Sequence, residues 1–397
     1  MKKLYDVTLS FEEKDFDGDV KNVGLIGEFL FYQSQLQGNT EATGMKSGKE
    51  KYVPSEYKPS YSPIGGLYYK EMQYHPEKNA YTVDLKLPAG VYPYNFVINA
   101  TVGEPVTDER WVWSNFLMDD HKLHNFSDRG VRIPDPKNAP VSATSTGIQR
   151  NSELFVGTWE EAPWLLAPAS VAKGTVSYMT YEDIDGHVQS LGIYLPPAYE
   201  KSSQYPVVFV SHGGGGNEAD WFSQGNIHHI MDTLIFQGKT KPAVLVTMNN
   251  SVYEWDFEKI SRNLKQCIFP FVRTVFSVSL ETGKNAFCGL SMGSMTTLYL
   301  YMHHTHLFHY YGAFSGGIAG GEHFSLESPL LKYVKLMIGC GEEDIAYNES
   351  DIGVPPTIRA LKAKNLPYVP YFVPGSHDWF CWPQMFVYFA ENVLWKG

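Results

Sequence analysis

The stretch NAFCGLSMGSM, residues 285–295, runs from an apolar, strand-like segment into a glycine–serine–glycine turn. Its centre, Gly289-Leu290-Ser291-Met292-Gly293, fits the pattern Gly-x-Ser-x-Gly. A nucleophile on a sharp strand-to-helix turn needs small neighbours on both sides, and glycine supplies them. The context is the required one, because NAFCG before the serine is strand-like and SMTTLYLYMHH after it can form a helix. Ser291 is therefore the candidate nucleophile. The competing reading is a tight turn in which serine merely fits.

Working outward, six further short apolar runs each end in glycine or polar residues. They are LGIYLPPAY, YPVVFVSHGGGG, KPAVLVTMNN, YYGAFSGG, VKLMIGCGEED and YVPYFVPGSH. Continuous apolar runs suit strands buried on both faces. Helical patterns lie between them. In residues 257–276, Phe257, Leu264, Ile268, Phe271, Val272 and Val275 share one side, and Pro270 should kink the helix. Strands alternating with helices predict a mostly parallel α/β sheet, whose reactive groups gather at the carboxyl ends of its strands.

The chain before this region reads differently. YTVDLKLPAGVYPYNFVINAT (81–101) alternates, breaks at Pro88 and Gly90, and alternates again, which is a hairpin signature. NVGLIGEFLFY (22–32) is another strand candidate, and residues 33–66, rich in Gly, Ser, Lys and Glu, read as a long loop. Short strands with turn signals predict a β-sandwich. VRIPDPKNAPVSATSTG (131–147) has no periodicity and reads as a linker. The expected domains are thus residues 1–145, all-β, and 146–397, α/β.

A length of 397 residues accommodates two domains, and 43% hydrophobic with 19% charged residues is ordinary for a globular protein. The formal charge of -11 and the absence of clustered Lys and Arg exclude a nucleic-acid partner. No apolar run approaches the ~20 residues of a membrane helix. The N-terminal MKKLYDVTLSFEEKDFD lacks the apolar core of a signal peptide. The expectation is a cytoplasmic protein, or a secreted one whose signal peptide has been removed. Cys267, Cys288, Cys340 and Cys381 show no metal-ligand spacing and are expected as reduced thiols.

A serine hydroxyl needs a base to take its proton. His377, in PGSHDWFCW after the last strand candidate, occupies the place that the order Ser, Asp, His requires. His212 opens the HGGGG loop and reads as structural, and His303, His304, His306 and His309 read as a solvated helix end rather than a metal site. The acid that orients the base falls in IGCGEEDIAYNESD: Asp344 fits best, with Glu342, Glu343 and Asp351 as alternatives. Asp378 is discounted, because neighbouring side chains in an extended loop diverge. The four glycines of SHGGGGNEADWF let backbone amides face an oxyanion, with Gly214 and Met292 as the donors. A phosphate loop is excluded by the missing Lys-Ser/Thr.

Together, IYLPPAYEKSSQYPVVFVSHGGGG, GLSMGSMTT, GAFSGG, CGEED and GSHDWFCW resemble the family-1 carbohydrate esterases, which include feruloyl and acetylxylan esterases and are related to enterochelin esterases and mycolyltransferases. The resemblance spans roughly residues 170–395. It implies an α/β-hydrolase fold with Ser291 as nucleophile, His377 as base, Asp344 as acid, and Gly214 and Met292 as oxyanion donors. Ser294 departs from the family, which usually has glycine there; a small serine should be tolerated. VGLIGEFLFY, LPAGVYPYNFVIN and IPDPKNAP resemble the immunoglobulin-like modules that precede glycogen-branching enzymes and many esterases of this family. Such a module implies either glucan contact or a packing role over the active site.

Trp221, Asn250, Trp379 and Trp382 are the candidate acyl-pocket residues, since indole faces suit an aryl acid. The expected function is a serine esterase acting on feruloyl esters of plant cell-wall oligosaccharides, with no metal or organic cofactor. An acetylxylan esterase is the alternative substrate reading. A trilactone siderophore esterase is disfavoured by the scarcity of Lys and Arg near Ser291. An inactive glucan-binding protein is disfavoured by the intact Ser, His and Asp set.

Overall fold

All seven apolar runs of the second region become strands of one sheet in the computed structural model. The structure describes residues 5–27, 67–87, 89–105, 116–119, 122–127, 130–138, 152–158, 169–279, 281–320, 323–342, 344–373, 377–379 and 381–396. The expected loop at 33–66 lies outside them.

The first region is a two-sheet sandwich. Its strands are β1 (Tyr5–Glu12), β2 (Val23–Gly27), β3 (Leu67–Glu71), β4 (Gln73–His75), β5 (Ala80–Leu87), β6 (Gly90–Ile98), β7 (Thr101–Pro105), β8 (Phe116–Asp119), β9 (Lys122–Ser127), β10 (Val131–Ile133) and β11 (Ser152–Val156). One sheet has the order β1-β5-β4; the other runs β10-β6-β2-β3-β8-β9-β7, with β11 also paired to β6. The expected β5–β6 hairpin does not form. β5 pairs with β1 and β4, whereas β6 pairs with β2, β10 and β11. The alternation correctly marks the inward faces, Tyr81, Val83, Leu85 and Leu87 against Tyr92, Tyr94, Phe96 and Ile98, which meet in one core. Alternation tells which face is buried but not which strand is the partner.

The expected boundary at residue 145 is also corrected. β10 and β11 both pair with β6, so the first sheet runs on to Val156. A polar clasp ties the proline-rich segment down. The buried Asp135 accepts from the Tyr94 hydroxyl at 2.6 Å and from the Lys137 N–H at 2.8 Å, and its own N–H donates to Ser152 Oγ at 2.8 Å. Asn138 Nδ2 donates to the Glu153 carbonyl at 2.7 Å. Composition suggested a linker because these backbone groups are satisfied by side chains rather than by a ladder.

The second region contains β12 (Thr175–Glu182), β13 (Val188–Leu195), β14 (Val207–Ser211), α1 (Asp220–Ser223), α2 (Ile227–Phe236), β15 (Val244–Met248), α3 (Phe257–Asn263), α4 (Phe269–Val275), β16 (Asn285–Leu290), α5 (Met292–His303), β17 (Tyr310–Phe314), β18 (Lys335–Gly341), α6 (Val354–Ala363), β19 (Val369–Val373) and α7 (Trp382–Asn392). The sheet order is β12-β13-β15-β14-β16-β17-β18-β19. β12 and β13 are antiparallel, and the run from β15 to β19 is parallel. β14, β15, β16 and β17 are buried at every residue, as strands covered on both faces must be. This is the α/β-hydrolase arrangement. Where Pro270 was expected to kink a helix, a π-helical turn at Leu264–Ile268 separates α3 from α4. Pro270 follows this turn directly, and Ile268 and Phe269 keep helical angles, so the helix runs on through the proline across a widened turn. All four cysteines are free thiols. Among the described residues no helix is long and apolar enough to cross a membrane.

The sandwich core can be tested at Phe96, which is fully buried and edge-on to Phe11 at 5.6 Å and Tyr94 at 5.9 Å. Phe96→Ala should cost about 3–5 kcal/mol of first-domain stability, read from the urea midpoint of unfolding.

Candidate active site

β16 delivers Ser291 at its carboxyl end, and α5 starts at the next residue. The serine has φ 53 and ψ -118, a conformation that side-chain-bearing residues rarely adopt. It is held there by close backbone packing. A Cβ on Gly289 would stand 2.5 Å from the Gly293 carbonyl oxygen, and one on Gly293 would stand 2.5 Å from the His212 carbonyl oxygen. A Cβ on Gly316 would stand 2.6 Å from the Ser291 carbonyl oxygen. The Ser291 N–H donates to the Phe314 carbonyl at 2.8 Å, which anchors the turn to β17. Ser294 is fully buried and donates its hydroxyl to the Gly316 carbonyl at 2.8 Å, so serine is accommodated there with a bond of its own.

β18 and β19 end beside this turn and supply the other two groups. His377 Nε2 lies 3.0 Å from Ser291 Oγ, and His377 Nδ1 lies 2.8 Å from Asp344 Oδ1. Asp344 is fully buried. Burial alone would raise its pKa, but the His377 ring, the Ser315 hydroxyl and the Ala346 N–H outweigh burial and hold the carboxyl below its ordinary range. An ionised Asp344 requires Nδ1 of His377 to carry the proton, which leaves Nε2 free to accept from the serine. The alternative acids are elsewhere. Glu342 and Asp351 are exposed, Glu343 lies outside the described residues, and Asp378 accepts the Cys381 N–H at 3.1 Å just before α7.

The glycine loop after β14 lies against the nucleophile. A Cβ on Gly214 would meet Met292 Sδ at 3.3 Å, and a Cβ on Gly213 would stand 3.0 Å from Ser291 Cβ. Gly213 therefore joins Gly214 and Met292 as a neighbour of the reacting hydroxyl, a position the run of four glycines could not single out. His212, expected to be structural, staples this loop. Its Nδ1 donates to the Gly213 carbonyl at 2.6 Å, and its Nε2 accepts the Asn250 N–H at 3.1 Å, which fixes a neutral tautomer.

The acyl-pocket candidates separate into two kinds. Trp221 and Asn250 are each 1% exposed and spend their polar groups internally. Trp221 Nε1 donates to the Ser211 carbonyl at 2.9 Å, and Asn250 Nδ2 donates to Ser211 Oγ at 2.9 Å. Neither presents a surface to a ligand as the sequence led one to expect: both are bonded to Ser211 at the end of β14, beside the glycine loop. Trp379 and Trp382 lie closer to the chemistry. Their rings meet edge-on at 4.9 Å, and Trp382 meets the His377 ring edge-on at 5.1 Å. Trp382 Nε1 donates to Ser315 Oγ at 3.0 Å. Ser315 was missed in the sequence because its role arises only where β17 and α7 meet.

The histidines after Ser291 disperse. His303 Nε2 contacts the His323 carbonyl at 2.8 Å, and His304 Nε2 lies 3.6 Å from Glu258, a carboxylate from α3 that sequence proximity did not suggest. Among the described residues, one close group of His and Asp side chains exists, at Asp183, Asp185 and His187. The Asp183 carboxylate already accepts from the N–H groups of Asp185 and His187, each at 2.9 Å, and from Gln189 Nε2 at 3.0 Å.

Comparison with known proteins agrees with this geometry. A family model described as "Putative esterase" matches residues 186–388. An endo-1,4-beta-xylanase/feruloyl esterase of Xylanibacter ruminicola is 28% identical over 236 residues, which are 56% of this chain but 31% of that protein. The chain thus spans about a third of that relative's length. A CE1 ferulic acid esterase from Anaeromyces mucronatus, solved with ferulic acid, superposes with a TM-score of 0.51 at 23% identity, over 58% of this chain and 94% of that one. The enterobactin esterase of Shigella flexneri superposes with a TM-score of 0.52 at 15% identity, over 99% of this chain and 93% of that one. At these identities the structural likeness speaks for the fold, and the enterobactin esterase shares it across both domains. With the family match covering half of the chain, and with Ser291, His377 and Asp344 in hydrogen-bonded succession, the chain belongs to the Esterase family.

Proposed function

We propose that this protein hydrolyses feruloyl (hydroxycinnamoyl) esters of plant cell-wall oligosaccharides through an acyl-enzyme on Ser291. The observation that carries the chemistry is the Ser291–His377–Asp344 chain of hydrogen bonds, with contacts of 3.0 and 2.8 Å. The feruloyl substrate is supported by the feruloyl esterase relative. In the reaction, His377 Nε2 takes the Ser291 proton as Oγ attacks the ester carbonyl. The N–H groups of Gly214 and Met292 face the oxyanion of the tetrahedral intermediate. Collapse breaks the bond to the sugar oxygen, which receives the proton from His377. Water then enters, gives its proton to His377 and attacks the acyl carbon. The acid departs as Ser291 regains its proton. Asp344 stays ionised throughout and stabilises the imidazolium.

One observation favours acetyl ester hydrolysis as a second reading. Trp379 and Trp382 are each only 7% exposed, so they offer ring edges rather than faces to an acyl group.

Rates on methyl ferulate and p-nitrophenyl acetate separate the two readings. The feruloyl reading expects methyl ferulate to have the higher kcat/KM, and it fails if only the acetate is cleaved. Asp344→Asn should lower kcat by about 10⁴-fold with little change in KM, because an amide stabilises the wrong histidine tautomer. The same variant tests the charge. Folding lowers the Asp344 pKa, so its stabilisation is present above the ordinary carboxylate range and is lost as pH falls through the lowered value. The melting-temperature gap between wild type and Asp344→Asn should therefore narrow as the pH is lowered.

A further inference from the structure

The segment that follows β15 is strained where it passes the glycine loop. Glu254 has φ 49 and Trp255 has φ 60, so two successive residues with side chains occupy the left-handed region. Glycine or asparagine is the usual occupant there, and a bulky indole is an outlier. Named contacts hold the segment to the glycine loop. The Asn250 N–H donates to His212 Nε2 at 3.1 Å, Ser251 Oγ donates to the Gly216 carbonyl at 3.0 Å, and the Trp255 ring meets the His212 ring edge-on at 5.4 Å. Gly213, next to His212, is the residue whose added Cβ would stand 3.0 Å from Ser291 Cβ. Trp255 thus touches the neighbour of the residue that lies against the nucleophile.

Its indole is placed differently from the other tryptophans around the site. Trp221, Trp379 and Trp382 belong to a core with Val208, Val210, Leu245 and residues of α2 and α7. Trp255 packs on the other core, which holds Val207, Phe209, Val246 and residues of α3 and α5. Successive strand residues alternate between these two cores, so the tryptophans flank the glycine loop from opposite faces of the sheet. Trp221 and Trp382 spend their N–H groups on Ser211 and Ser315. Trp255 is half-buried, and its Nε1–H has no protein partner among the described residues and reaches solvent. Val252, Glu254 and Asp256 are exposed, so the ring stands in a solvated rim with two carboxylates in the same segment. An acyl pocket is closed and apolar. An open indole with a spare donor has instead the chemistry to hold a polyol, with its ring against C–H groups and its N–H on a hydroxyl.

We propose that Trp255 is a specificity-determining residue of this esterase, and that its indole binds the sugar whose hydroxyl carries the ester. The left-handed pair Glu254–Trp255 is the strain that presents the ring at the rim of the glycine loop. The proposal rests on the reading of the site given above, in which a sugar hydroxyl is the leaving group. The acyl group then faces Trp379 and Trp382, and the sugar faces Trp255 across the glycine loop. Contact with a part of the substrate that does not react holds ground state and transition state alike, so its loss appears in KM.

The test uses the full chain with Trp255→Ala and Trp255→Phe on three esters: a feruloylated arabinoxylo-oligosaccharide, methyl ferulate and p-nitrophenyl acetate. Trp255→Ala should raise KM for the feruloylated oligosaccharide about tenfold more than KM for methyl ferulate, as expected when a ring contact and a hydrogen bond are lost together. Trp255→Phe keeps a ring without the N–H and should fall between Trp255→Ala and wild type. Equal losses on all three esters would mean that Trp255 only braces His212, and would overturn the proposal. A loss shared by both ferulates but not by the acetate would move Trp255 to the acyl side and overturn it too, as would no loss at all. Inhibition of p-nitrophenyl acetate hydrolysis by the unesterified arabinoxylo-oligosaccharide gives a readout independent of the acyl group. It should be competitive in wild type and about tenfold weaker in Trp255→Ala; absent inhibition, or equal inhibition in both, refutes the contact. Wild type that cleaves the acetate but neither ferulate sinks the feruloyl reading instead, and the inhibition data still decide the role of Trp255.

Discussion

Ser291 occupies a backbone conformation that only its surroundings make tenable, and the architecture of the second domain follows from that constraint. A serine at φ 53 and ψ -118 carries about 1–3 kcal/mol of local strain. The turn persists because β16 runs directly into α5 and because Gly289, Gly293 and Gly316 let three stretches of backbone approach within distances that no Cβ would allow. Since Gly293 lies against the His212 carbonyl and a Cβ on Gly213 would stand 3.0 Å from Ser291 Cβ, the same close packing seats the glycine loop against the serine turn. The proposed nucleophile and the proposed oxyanion donors would thus be placed by one steric fit rather than by two independent ones.

Around this turn the buried polar groups are arranged so that few are left without partners. Asp344 is a carboxylate with no solvent contact; its Oδ1 accepts from both His377 Nδ1 at 2.8 Å and the Ala346 N–H at 2.7 Å, while its Oδ2 is left without a partner. Trp382 orients the Ser315 hydroxyl and covers the His377 ring. His212, Asn250 and Trp221 form a second polar layer under the glycine loop, anchored on Ser211 at the end of β14. Side chains that could serve a ligand by composition are here committed to holding backbone in place.

Much of this was legible in the sequence, for a physical reason. Strands buried on both faces are continuous apolar runs, and their order along the chain places Ser291, Asp344 and His377 after the ends of β16, β18 and β19. The loop after β14 is marked by its glycines. Facts that depend on packing between distant segments were not legible. Alternation in residues 81–98 showed two inward faces but could not say that they belong to opposing sheets. The proline-rich segment looked unstructured because Asp135 and Asn138 hold it through side chains. Trp221, in α1, and Asn250, just after β15, lie close to the site in sequence, yet their side chains turn inward, and sequence proximity does not carry direction. Ser315 and Gly213 matter only through neighbours brought together by the fold.

The most direct test of the account is covalent. A dialkyl fluorophosphate reacts with a serine whose proton is taken by a positioned base, and the adduct can be located by peptide mass mapping after proteolysis. The account predicts a single adduct, on the peptide that carries Ser291, and none in His377→Ala. No adduct on the wild-type protein, or an adduct at a different serine, would contradict it.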